Sequence, residues 1–196
     1  MSSYLKTGFY CLFKFSSIFL FSIICILLIT CSKPTQFEDR LVLGSVLDRT
    51  NQETTRPEDV KQITYILRDI FDSIQRRDLS QLPNYVNPEK GIWVDLKAEK
   101  TMAEFEQDIA NPLGYVNVYY LKTTELQNRT NDNTQKSLYD LINDSTKIKA
   151  DFFFQHNECE VRFTIQEPKE LTEESYRFNN AYFIENNGKW FLYRLF

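Results

Sequence analysis

Hydropathy divides the chain into one long apolar run and a polar body with two periodicities. Phe15 to Thr30 is almost unbroken hydrocarbon, preceded by Lys6 and Lys14. From Pro57 the apolar residues Val60, Ile63, Ile66, Leu67, Ile70, Phe71 and Ile74 recur three and four apart. Lys61, Arg68, Asp69 and Asp72 fall between them, so the spacing predicts an amphipathic helix with one apolar stripe. Pro57 suits the first helical position, and Glu58 and Asp59 suit the positive end of the helix dipole. Arg76-Arg77-Asp78 marks the expected stop, ahead of Pro83.

In the last third the period changes to two. Ile148–Gln155 and Cys159–Gln166 flank the turn His156-Asn157-Glu158. Cys159, Val161, Phe163 and Ile165 alternate with Glu160, Arg162, Thr164 and Gln166, which predicts a sheet with one wet face. Tyr176–Glu185 and Lys189–Phe196 flank Asn186-Asn187-Gly188, a strong hairpin signal because Asn and Gly tolerate positive φ. Trp190-Phe191-Leu192-Tyr193 carries bulk on both faces and predicts an interior strand, covered on one side by the helix.

The middle of the chain is mixed. Asn87-Pro88-Glu89-Lys90-Gly91 is a turn leading into a strand over Ile92–Leu96. Thr101-Met102-Ala103-Glu104 is a capping box that opens a short helix through Ile109. Tyr115–Leu121, rich in aromatic and β-branched residues, predicts a strand; Gln127–Gln135 predicts an exposed loop, and Ser137–Ile142 a short helical turn. Ser32 to Arg56 has the composition of a tether, in which Leu41-Val42-Leu43 suits equally a short docked strand or a floating patch. The expected organisation is a leader (1–30), a tether (31–56) and one α+β domain (57–196).

The run Leu28-Ile29-Thr30-Cys31 resembles the lipobox of bacterial lipoproteins, with Thr30 giving it the looser form found in spirochaetal members. The resemblance implies that the leader is cleaved and that Cys31 becomes a lipidated amino terminus. A secretory signal has a basic start, an apolar middle of roughly 7–15 residues and a cut site. A spanning helix needs about 17–25 apolar residues, slightly more than Phe15–Thr30 supplies before Lys14 interrupts it. The expected address is the cell envelope, lipid-anchored, on the outer membrane because Lys33 rather than Asp follows Ser32.

Composition then narrows the partners. Removing the leader, which holds two lysines and no acid, takes the net charge from −4 to −6. Such a domain is repelled by phosphate backbones, so nucleic acid is excluded as a partner and membrane attachment falls to the lipid on Cys31. Beyond the leader and Cys31 only Cys159 remains, so no intramolecular disulfide can form and packing must hold the core.

The order of helix, short helices and closing antiparallel strands resembles the cone-shaped α+β fold of nuclear transport factor 2-like (SnoaL-like) domains. Three stretches carry it: Pro57–Ile74, the turn Val86–Gly91, and Phe183-Ile184-Glu185-Asn186-Asn187-Gly188-Lys189-Trp190-Phe191-Leu192-Tyr193. The resemblance implies a helix packed on a curved antiparallel sheet. It also implies a cone able to enclose a small apolar ligand or peptide, and dimerisation through the open sheet. The segment between Gly114 and Lys147 departs from the pattern.

Catalytic chemistry has few candidates. His156 and Cys159 are the domain's only histidine and cysteine, but alternation sends Cys159 inward while His156 falls on a turn. Enzymes of the resembled superfamily place acid–base groups inside the cone, and Asp95 or Asp151 could point inward with a raised pKa as general base. One His and one Cys cannot build a structural zinc site, and Asn131-Asp132-Asn133 lacks the glycine and closing glutamate of a calcium loop. No metal or cofactor is expected. The leading expectation is a lipid-anchored, non-catalytic binding module for a small apolar ligand or a protein partner. The alternatives are an enzyme using an inward carboxylate and a purely structural envelope protein.

Overall fold

The structure, a computed structural model, describes residues 40–50, 56–94, 98–166 and 179–195. The leader, Cys31 and Asp95 lie outside the described residues. Those that are described fall within one compact unit, Phe37–Phe196. They form five α-helices and one open seven-stranded sheet.

Helix α1 spans Pro57–Gln75, with proline opening its first turn and Glu58 and Asp59 beside it. Val60, Ile63, Ile66, Leu67, Ile70, Phe71 and Ile74 are buried along one side. Arg77 adopts a left-handed conformation just past its end and lays its guanidinium 4.0 Å over the Tyr139 ring. A 3-10 turn over Leu82–Tyr85 follows, and Asn87 then organises the next bend. Its side-chain oxygen accepts the N–H groups of Glu89 (2.9 Å) and Lys90 (3.2 Å). Gly91 closes this bend at φ 66°, where an added Cβ would lie 2.2 Å from the Lys100 carbonyl oxygen.

The sheet strands are β1 (Leu41–Asp48), β2 (Ile92–Trp93), β3 (Glu99–Lys100), β4 (Lys147–Gln155), β5 (Glu158–Gln166), β6 (Ala181–Asn186) and β7 (Lys189–Arg194). Their spatial order is β1-β4-β5-β6-β7-β2-β3. β4 to β7 form the antiparallel meander, and Asn187 (φ 53°) and Gly188 (φ 78°) make the last hairpin turn. Two parallel pairs, β1 with β4 and β2 with β7, make the sheet mixed rather than wholly antiparallel. Chain order explains the first pair: β1 precedes α1 and β4 follows the helices, and such a crossover delivers parallel neighbours.

Three expectations change. Leu41-Val42-Leu43 does not float. β1 is an edge strand with Leu41 buried against the core, so the body includes residues assigned to the tether and does not begin at Pro57. Arg40 secures its start, donating to the carbonyls of Ile142 (3.0 Å) and Ser145 (3.3 Å). Tyr115–Leu121 is helix α3, not a strand; it follows α2 (Met102–Ala110), whose capping box forms as expected at Thr101 and Glu104. The reason lies in the preceding helix. The Asp108 carboxylate of α2 accepts the N–H groups of Tyr115 (3.1 Å) and Val116 (2.8 Å), satisfying donors that the start of a helix leaves open. Within Gln127–Gln135, the residues through Thr130 belong to helix α4 (Thr123–Thr130) rather than a loop; Leu126 anchors it and Asn131 ends it at φ 54°.

Helix α5 (Leu138–Asp144) completes the layer. Ile63, Leu67 and Phe71 of α1 meet Phe152, Val161, Phe183 and Leu192 of the meander in one core cluster, every one of them without exposed surface. Phe105 of α2, Tyr120 of α3 and Ile142 of α5 join the same cluster. Each such large apolar side chain contributes about 1.5–3 kcal/mol.

Candidate functional site

The residues singled out by sequence do not come together. Asp151 does not point inward. Ala150 and Phe152 face the core, so Asp151 between them faces outward, and its Oδ1 accepts the Ser45 N–H (2.6 Å) and hydroxyl (2.8 Å). Gly44 makes the room, since a Cβ there would fall 2.2 Å from that oxygen, and the β1 register shifts at this point. Burial pushes the Asp151 carboxyl up, but the Ser45 donors and Lys149 at 3.1 Å outweigh it and hold the group below its usual range. That is the opposite of a poised base. Cys159 has no exposed surface, and burial pushes its thiol up. His156 lies exposed on the β4–β5 turn, so the two do not form a nucleophile and base.

The wet face of the meander holds a group that alternation did not reveal. Glu160, expected in water, is only 6% exposed. It occupies the middle of a row crossing five strands in register: Leu47, Phe153, Glu160, Tyr182 and Arg194. Its Oε1 accepts Arg162 Nε (3.0 Å) and Asn180 Nδ2 (2.5 Å), and its Oε2 accepts Arg49 Nη2 (2.7 Å) and Arg162 Nη2 (3.1 Å). The Arg162 and Arg49 guanidinium groups lie 4.5 Å and 5.2 Å over the Phe153 ring, and that of Arg194 lies 3.7 Å over Tyr182. Burial raises the Glu160 carboxyl, yet the bonds from Arg162, Arg49 and Tyr182 prevail and pull it down to about 2. The Glu160-Arg162 spacing, two apart on one strand face, was the visible part of this cluster; Arg49 joins only through sheet register.

A second feature is concave. A groove of about 620 Å³ runs between the solvent side of α1 and the start of β7, with Asn84 and Tyr85 also lining it. Ile66, Tyr65, Trp190 and Phe191 give it an apolar lining, with Tyr65 65% exposed. Trp190 donates its Nε1–H to Asp59 (2.9 Å), and Tyr85 donates its hydroxyl to Asp69. With those polar atoms engaged, the two rings offer a ligand mainly carbon. Lys61, Glu58 and Lys189 supply the charged rim, with Lys61 and Glu58 paired at 3.8 Å. Among the described residues no group of three His, Cys, Asp or Glu side chains is placed to hold a metal ion.

Comparison with known proteins finds no match among protein-family models, curated proteins or solved structures.

The Glu160 cluster sets a pH dependence. A carboxyl depressed in the folded state contributes stability above its unfolded pKa and loses it as pH falls through the folded value. Urea titrations are expected to show stability falling between pH 4.5 and about 2. Glu160→Gln is expected to flatten that fall and to cost about 2 kcal/mol at pH 7. An unchanged acid limb in the variant would contradict the assignment.

Proposed function

We propose that the chain is a lipid-anchored protein of the cell envelope, attached through Cys31, whose body is a non-catalytic binding module of the nuclear transport factor 2-like kind. The observation that carries this reading is the groove between α1 and β7, lined by Tyr65, Ile66, Tyr85, Trp190 and Phe191. Its volume lies in the range of small-molecule sites, which are concave and largely apolar with a few placed polar groups. Among the described residues Phe152, Val161, Phe183 and Leu192, on the sheet face beneath α1, have no exposed surface, so they leave no room for a ligand there. The ligand class that fits is a small apolar molecule, with an acidic end toward Lys189. The engagement of Asp151 with Ser45 disfavours the enzyme reading at that residue.

The lipid anchor rests on the Leu28–Cys31 lipobox, and two or more acyl chains hold a protein stably on a bilayer. Mass spectrometry of the natural product is expected to find residues 1–30 removed and an acylated Cys31 at the amino terminus. Met1 retained, or an unmodified thiol at Cys31, would remove the anchor.

Ligand binding is tested by thermal unfolding of the full chain against a panel of water-soluble aliphatic and aromatic carboxylic acids. A ligand at a hundred times its Kd adds about 2.7 kcal/mol to stability. Tyr65→Ala and Phe191→Ala are each expected to weaken that ligand about tenfold. A panel without any stabilising member, or one whose effect survives both substitutions, would refute a groove ligand.

A further inference from the structure

The face of the sheet turned away from α1 has the composition of an interface and an unbalanced charge. Across it run Leu47, 52% exposed, then Phe153, Glu160, Tyr182 and Arg194, with Arg49 and Arg162 laid over the row. Aromatic and arginine side chains dominate the energetics of protein interfaces. On the row the guanidinium groups of Arg49, Arg162 and Arg194 gather beside the single carboxylate of Glu160, in a chain that is otherwise acidic. Asp151, cross-strand from Arg162, is already engaged by Ser45 and Lys149. Arg49 and Arg162 keep 40% and 49% of their side-chain surface exposed although both bond Glu160. Stacking on Phe153 holds the two groups in place before any partner arrives, so less side-chain freedom is lost on binding.

We propose that this five-strand row is a docking surface for an acidic polypeptide, whose carboxylates meet Arg49, Arg162 and Arg194 while its apolar side chains cover Leu47. Charge decides among the occupants. A second copy packed through the same face across a two-fold axis would set the arginine cluster against itself, and like charges across an interface are costly. A nucleic acid would bring a dense phosphate lattice to a protein with net negative charge. An acidic polypeptide can instead place single carboxylates on single guanidinium forks, the geometry Glu160 already uses with Arg162.

The test uses the full chain in detergent micelles and a fluorescently labelled oligo-glutamate peptide, followed by anisotropy. Binding is expected at low salt and is expected to weaken as ionic strength rises. Arg49→Gln with Arg194→Gln should weaken it about tenfold, while Arg68→Gln with Lys90→Gln, on exposed positions outside the row, should leave it unchanged. Arg162 is retained so that Glu160 keeps its bidentate partner, and Arg49→Lys with Arg194→Lys checks that charge, not misfolding, is the cause by restoring most of the binding. Any of five results overturns the proposal. The wild-type chain does not bind the peptide, or the glutamine pair binds it equally well. Phosphatidylglycerol doped into the micelles displaces the peptide through the same arginines. Sedimentation reveals a dimer that the glutamine pair dissolves. Binding that appears only after the four glutamates of 167–178 become glutamine would also overturn it, because the chain's own segment would then be the occupant.

Discussion

Burial of one helix stripe against one face of the sheet is the interaction on which the rest of the structure depends. Ile63, Leu67, Ile70, Phe71 and Ile74 project from α1 into the face formed by Phe152, Phe154, Val161, Phe183 and Leu192. Helices α2, α3 and α5 add Phe105, Tyr120 and Ile142 to that cluster, whereas Phe153, Tyr182 and Phe191 stay outside it. One face of the sheet is therefore dry and the other is left to polar chemistry. Among the described residues Cys159 is free and no disulfide is present, so this packing bears the stability of the domain.

The open face handles its aromatic residues with charge. Phe153 would be an exposed ring, and Arg49 and Arg162 cover it with their planar groups while Glu160 holds both. A buried carboxylate is costly on its own, and here its oxygens accept four bonds from Arg162, Arg49 and Asn180. A different pair works at the end of the sheet. Arg56 donates to Asp48 (2.8 Å) and to the His156 carbonyl (2.9 Å), and its guanidinium lies 5.1 Å over Phe154. It thereby ties the end of β1 and the β4–β5 turn to the start of α1. Trp190 reaches Asp59 from β7, so the groove wall and the helix N-terminus are braced together.

Local features were legible in the sequence, and features set by register were not. The α1 stripe, the Thr101–Glu104 box and the Asn187-Gly188 turn each lie within a few residues and emerge as written. Tyr115–Leu121 misled because its aromatic and β-branched residues suit a strand, yet a cap from Asp108 makes the segment helical. The role of β1 was open because parallel pairing to residues a hundred positions away leaves no local trace. Asp151 was different: Ala150 and Phe152, the apolar residues on either side, already place it on the opposite face. Glu160 escaped because alternation assigns a face and not what neighbouring strands lay over it. The groove has the same origin, since Tyr65 and Phe191 meet only through packing.

Cys159 offers the most direct test of the one-sided core, because its thiol lies on the dry face with no exposed surface. Thiol labelling of the full chain, assigned to Cys159 by peptide mapping, reports how often α1 leaves the sheet. The account predicts labelling in native buffer about a thousandfold or more slower than in denaturant, with Leu192→Ala accelerating it. Native labelling as fast as in the unfolded chain would mean that the helix does not cover this face.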